Sequence, residues 1–189
     1  MKEETKRKFL KNLNFLIKIF IFLKISPTFI TLSSLFFSII AYYFYFQGKF
    51  FVAGIFLILI ALADTIDGEL ARQREMVSKK GAFLDSVIDR VSEFFIFLGI
   101  FLYYYKNNLA VIYPFLALIT SFLVSYVRAR AEGTGIECKI GIFERPIRMI
   151  LLIIGSLFLK KYFIYLLILL IIGNFLTFLQ RVFYSLKKL

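Results

Sequence analysis

Polar residues in this chain are few and bunched, and the apolar runs between them are long. Six runs stand out, at about residues 28–47, 50–74, 81–105, 109–131, 145–160 and 162–183. Most reach the roughly 20 residues that an α-helix needs to cross a hydrocarbon core. The breaks between them are Gln47-Gly48-Lys49, Glu75 to Lys80, Lys106-Asn107-Asn108, Glu132 to Glu144 and Lys160-Lys161. The pattern predicts an all-α integral membrane protein, with residues 26–189 forming one domain of six transmembrane helices. Residues 1–25 differ: charge comes first, an apolar part follows, and Lys18 and Lys24 interrupt that part with no small-residue cleavage site after it. That argues against a signal peptide. It predicts an amphipathic juxtamembrane helix in the interface, with lysines among lipid phosphates and Phe15, Leu16, Ile19, Phe20 and Leu23 at the acyl boundary.

Composition agrees. The chain is 60% hydrophobic, against about 45–50% apolar residues in a soluble domain. Its net charge of +12 is unevenly placed. Lys49, Lys106, Lys160 and Lys161 fall on one side of the predicted membrane and the remaining basic residues on the other. Because Lys and Arg accumulate on cytoplasmic loops, a multi-pass protein of the cell membrane is expected, with both termini inside. The two most polar segments, 64–90 and 128–148, then share the cytoplasmic face. Anionic lipid and phosphate-bearing substrates account for the charge, and no nucleic-acid partner is needed. There is no histidine, and Cys138 is the single cysteine. Chemistry near neutral pH must therefore use carboxylates, Lys, Tyr or a metal held by oxygen.

All four aspartates of the chain lie between residues 64 and 89, in the pattern Asp64-x2-Asp67-Gly68-x2-Ala71-Arg72-x8-Gly81-x3-Asp85-x3-Asp89. Spacings of three and four put side chains on one helix face. Asp64 and Asp67 thus share a face of the second span, and Asp85 and Asp89 share a face of the third. Each charge near the bilayer centre costs about 2.5–3.5 kcal/mol or more, and clustered carboxylates oppose one another's ionisation. Divalent cations resolve the conflict. Oxygen ligands suit Mg²⁺, Mn²⁺ or Ca²⁺, and four carboxylates suit two ions roughly 3.5–4 Å apart, an arrangement that holds a phosphoryl group during displacement. Gly68, Ala71 and Gly81 lack bulk and would let an extended ligand approach, while Arg72 can pair with a diphosphate. For the glycines, close helix packing is the competing explanation.

The aspartate pattern resembles the signature of the CDP-alcohol phosphatidyltransferases, integral membrane enzymes with six transmembrane helices. The resemblance runs from about Ser26 to the C-terminus. It implies that Asp64, Asp67 and Asp85 are metal ligands and that Asp89 is both ligand and catalytic proton acceptor. It also implies two divalent cations, with Mg²⁺ ahead of Mn²⁺, a homodimer, and CDP-lipid contacts from Gly68, Arg72 and Ser78. Upstream, Ser26-Pro27-Thr28-Phe29-Ile30-Thr31 is similar to the family's nucleotide-contacting start of the first span, with Thr28 in place of the usual Asn. Pro27 and Thr31 match it. A proline-initiated helix with a serine cap explains the same residues equally well.

A second polar stretch, from Ser125 to Ile150, carries Arg128, Arg130, Lys139, Arg145 and Arg148. On a helix Arg128 and Arg130 point about 200° apart, whereas Arg145 and Arg148 share a face. Cationic groups near the catalytic face suit an acceptor that carries its own phosphate; positive-inside signalling is the alternative. "GAFLDSVIDR", "SYVRARAEG" and "ERPIR" resemble the inositol-phosphate branch of the family. That resemblance implies transfer of a phosphatidyl or archaetidyl group from CDP-diacylglycerol or CDP-archaeol to inositol 1-phosphate, with release of CMP. Glycerol 3-phosphate is the rival acceptor, and cation transport is the rival outside enzymes.

Overall fold

Five breaks in the helical pattern are built the same way. At Lys24, Gly48, Glu75, Asn108 and Gly135 the backbone enters the left-handed region, with φ of 54°, 70°, 55°, 52° and 84°. The next residue's N–H then reaches back to close the preceding helix: Ile25 to Phe20, Lys49 to Phe44, Met76 to Ala71, Leu109 to Tyr104 and Ile136 to Ala131, at 2.8–3.0 Å. This is the left-handed helix stop that satisfies otherwise orphaned carbonyls and reverses the chain sharply. Only two of the five positions are glycine, so composition alone would not mark them all.

The computed structural model describes residue 14 and residues 17–189 of the chain. Residues 17–22 are helical. After them come α1 (Pro27–Phe46), α2 (Phe50–Gln73), α3 (Lys79–Lys106), α4 (Ile112–Gly133), α5 (Arg145–Phe158), a 3₁₀ turn (Lys160–Tyr162) and α6 (Phe163–Leu186). The hydrophobic pattern placed these helices to within about three residues. The larger shifts have local causes. Asn108 closes α3, and Pro114, which has no N–H to donate, sits in the first turn of α4, which therefore starts at Ile112.

Among the described residues, four helical segments are long and apolar enough to cross a membrane: Pro27–Phe46, Phe50–Gln73, Ile112–Gly133 and Lys160–Leu186. The other two predicted spans fall short for separate reasons. α3 is long, but its first half carries Asp85, Asp89, Arg90 and Glu93. α5 is strongly apolar, but its 14 residues rise only about 21 Å. In the N-terminal segment Ile17 is fully buried, and Phe20 and Ile21 pack with it against Ile30, Ala63, Ile66 and Leu70. Ile19, Phe22 and Leu23 stay exposed. Phe15 and Leu16 lie outside the described residues.

The helices pack in a ring: α1 between α2 and α3, then α3 on α4, α4 on α6, α6 on α5, and α5 back on α2. The main apolar core sits toward one end of this ring, where α1, α3 and α5 end and α2, α4 and α6 begin. Tyr45, Phe50, Leu57, Ile60, Phe97, Ile100, Leu152, Phe163 and Leu167 are among its members. Edge-to-face contacts of Phe50 with Tyr45, Tyr103 and Phe163 knit its outer end. The Lys160 ammonium lies over the Phe50 and Tyr103 rings and donates to the Gly48 carbonyl at 2.8 Å. Most buried charged groups lie in the opposite half, where α1, α3 and α5 begin and α2, α4 and α6 end. Large apolar side chains remain outside, such as Phe29, Leu32, Phe36, Ile39 and Tyr43 along one stripe of α1. Such a stripe suits a lipid environment.

Glycines show how closely the helices cross. A Cβ on Gly99 would come within 2.6 Å of the Tyr42 carbonyl oxygen and 2.8 Å of its Cα, so α3 and α1 meet backbone to backbone there. A Cβ on Gly68 would meet only the end of Arg72, at 3.7 Å. Gly99→Ala should therefore destabilise the protein by about 1–3 kcal/mol, the usual cost of overpacking. Gly68→Ala should be neutral or slightly stabilising, because it gains helix propensity. Thermal unfolding of the two variants in detergent tests this, and a Gly99→Ala midpoint equal to wild type would contradict it.

Candidate metal and phosphate site

The turn at Glu75 reverses the chain, so that carboxylates from the end of α2 and the start of α3 converge. Asp64 and Asp67 come from the last turns of α2, and Asp85 and Asp89 from the first turns of α3. The grouping is three plus one. Asp64, Asp85 and Asp89 each offer an oxygen within 4.8 Å of the others. Asp67 lies within electrostatic range of Asp64 and Asp85 but is tied to a different partner: the Thr31 hydroxyl donates to its Oδ2 at 2.6 Å. Three carboxylates this close, with Asp89 buried and the other two half-buried, suit a hard divalent cation held by oxygen.

The opposite wall is basic. Arg145, the first residue of α5, bridges the cluster: its Nη1 is 2.8 Å from Asp64 Oδ1 and its Nη2 is 2.6 Å from Asp89 Oδ1. One turn on, Arg148 faces Glu93, which lies one turn beyond Asp89 on α3. Its Nη2 is 3.3 Å from Glu93 Oε1, and its Nη1 donates to the Phe143 carbonyl at 3.0 Å. Glu93 also accepts from the Ser121 hydroxyl at 2.6 Å and has Arg90 at 3.6 Å. Glu93 and Arg148 are 4% and 2% exposed, so this ion pair is desolvated and its charges depend on each other. Asp85, Asp89 and Glu93 thus form a ladder at four-residue spacing, met by Arg145 and Arg148 at three-residue spacing. The shared face expected for the two arginines is realised, but both are engaged by carboxylates.

The other expected positions divide by location. Ser26 caps α1 by accepting from the Phe29 N–H at 3.2 Å, and Pro27 opens the helix, so the proline start with a serine cap is realised. Ser78 caps α3 by accepting from the Gly81 N–H at 3.0 Å. Gly68 and Ala71 are half-buried, and Arg72, Ser78 and Gly81 are exposed. Arg72 pairs with Glu69 at 2.9 Å on the helix surface. Neither Gly68 nor Gly81 is at a close helix crossing, unlike Gly54 and Gly99, so tight packing does not account for them. Farther off, Arg128 pairs with Glu132 at 2.8 Å, Lys139 pairs with Glu137, and Arg130 is exposed.

Two members of the wall had no counterpart in the sequence reading. Glu93 extends the Asp85, Asp89 spacing by one more turn, a signal carried by position in the sequence and masked by the change of residue type. Arg181, near the end of α6, is buried, donates to the carbonyls of Ile140 and Val124 at 2.7 and 2.8 Å, and lies within electrostatic range of Arg128 and Arg148. It falls on one face with Asn174 and Thr177, both fully buried. That polar stripe through an apolar helix is the readable sign.

Comparison with known proteins gives the same picture. The family described as CDP-alcohol phosphatidyltransferase matches residues 24–179. The archaetidylinositol phosphate synthase of Pyrococcus horikoshii is 42% identical over 171 residues, covering 88% of this chain and 87% of that protein. Among solved structures, the phosphatidylinositol phosphate synthase of Mycobacterium tuberculosis with CDP-DAG bound superposes with a TM-score of 0.81 at 26% identity, covering 90% of this chain and 91% of that one. The same enzyme in complex with manganese and citrate also gives 0.81 at 26% identity, covering 90% and 87%. The aspartate motif, the fold and the extent of these matches agree, and the chain belongs to the CDP-alcohol phosphatidyltransferase family.

Proposed function

We propose that this membrane enzyme transfers the phosphatidyl or archaetidyl group of a CDP-lipid to inositol 1-phosphate and releases CMP. The observation that carries the reading is the facing of two walls: Asp64, Asp85 and Asp89 on one side, and Arg145 and Arg148, backed by Arg181, on the other. An acidic wall suits cations on a diphosphate; a basic wall suits a second phosphate on the acceptor. The names of the relatives favour inositol phosphate over glycerol 3-phosphate. In this reading all six helices α1 to α6 lie within the cell membrane, α3 and the short α5 being sheltered in the ring, and the site and both termini are cytoplasmic. A homodimer would use one of the exposed apolar faces.

Asp64, Asp67, Asp85 and Asp89 would hold two divalent cations, Mg²⁺ or Mn²⁺, which when bound neutralise the charge developing on the diphosphate. Thr31 positions Asp67 by donating to one of its oxygens and leaving the other for a cation. Gly68, Ala71 and Gly81 leave room for the nucleotide and its lipid phosphate, and Arg72 is placed to exchange Glu69 for a phosphate oxygen. Asp89 takes the proton of the attacking inositol hydroxyl. A new bond forms from that oxygen to the lipid-side phosphorus, the bond from that phosphorus to the CMP oxygen breaks, and its electron pair leaves with CMP.

Purified protein given CDP-archaeol or CDP-diacylglycerol with radiolabelled acceptors should label lipid with inositol 1-phosphate and release CMP. Label appearing only with glycerol 3-phosphate would move the assignment to the rival acceptor. Asp89→Asn should lower kcat by about 10²–10⁴, the range for losing a general base, while the unfolding midpoint shows the variant still folded. Thr31→Val should weaken the response to Mg²⁺ by roughly 10–100-fold, as loss of an outer ligand partner does. An unchanged Mg²⁺ titration would remove Thr31 from the site.

A further inference from the structure

Arg145 differs from the other arginines of the basic wall in what holds it. Arg148 is fixed by Glu93 and the Phe143 carbonyl, and Arg181 by the carbonyls of Ile140 and Val124. The ion-pair partners of Arg145 among the described residues are Asp64 and Asp89, two of the three carboxylates that converge within 4.8 Å. Its guanidinium and a divalent cation thus draw on the same carboxylates. A cation seated on them would stand beside the guanidinium, and like charges at that range repel. Behind Arg145, Arg148 and Arg181 already form a basic cluster, with Arg128 in electrostatic range. A released Arg145 has an anion-binding wall to join.

We propose that Arg145 is an internal counter-ion of the aspartate cluster. It neutralises Asp64 and Asp89 until divalent cations bind, yields these carboxylates to them, and is then free to meet the phosphate of the acceptor. The inference rests on the metal reading of the aspartates given above. It makes cation binding weaker than the bare carboxylates would allow, because the cations must displace a bound guanidinium. It also couples the two ligands: cations that free Arg145 favour the acceptor phosphate, and by linkage the phosphate favours the cations.

Mn²⁺ binding to purified protein, followed by electron paramagnetic resonance of the free ion, tests this without turnover. Wild type should bind Mn²⁺ and Asp85→Asn should bind it far less. Arg145→Gln should bind at least about tenfold more tightly than wild type, and Arg145→Lys, which keeps a charge but cannot span two carboxylates, should lie between them. The second readout is the rise in unfolding midpoint between EDTA and Mn²⁺, which should be larger for both Arg145 variants than for wild type. Equal or weaker Mn²⁺ binding by Arg145→Gln, with a wild-type midpoint rise, would overturn the counter-ion role and leave the metal site standing. Failure of wild type itself to bind Mn²⁺ would overturn the metal reading on which the role depends.

Discussion

Carboxylates sunk among apolar helices have to be compensated by positive charge, and this requirement organises half of the molecule. Asp64, Asp67, Asp85, Asp89 and Glu93 sit at the inner ends of α2 and α3, where water is scarce. Asp85 lies within electrostatic range of Arg145 and Arg90, and the other four each have a donor or a cation in contact. Thr31 serves Asp67, Arg145 serves Asp64 and Asp89, and Arg148 with Ser121 serves Glu93. These partners come from α1, α4 and α5, so satisfying the acids also fixes how three neighbouring helices meet α2 and α3. The residues that make the site chemically useful are the ones that hold its end of the bundle together.

The sequence made the elements legible and left their pairing dark. Six helices followed from the apolar runs, and four of them, among the described residues, are long and apolar enough to cross a membrane. The aspartate faces followed from three- and four-residue spacing, since helix geometry alone decides which side chains share a face. Nothing local told that Arg145 would meet Asp64, 81 positions away, or that Thr31 would turn to Asp67. Such contacts depend on the order of helices around the ring and on how each is rotated, and short-range periodicity carries neither. Arg148 and Arg181 were legible as charge but not as buried charge, because a basic residue near a helix end reads the same whether it faces headgroups or a neighbour.

Glycine shows the same division on a smaller scale. Gly68, Gly81, Gly54 and Gly99 all occur in helices and are alike in sequence terms. Gly54 and Gly99 sit where a neighbouring helix leaves no room for a side chain, whereas a Cβ on Gly68 or Gly81 would meet only a side chain three or four residues away, that of Arg72 or Ser78. Close approach to another helix explains one pair, and the proposed approach of a ligand is the reading for the other.

The separation of the apolar core from the charged half has a mechanical consequence. Contacts among Tyr45, Phe50, Phe97 and Phe163 do not depend on which ions are present, since dispersion and burial are indifferent to them. Contacts among Asp64, Asp89 and Arg145 are between charges, and in the counter-ion role proposed for Arg145 they give way when a cation or phosphate arrives. One end of the bundle is therefore held by contacts indifferent to ions, and the other by contacts that any charge placed between them would compete for.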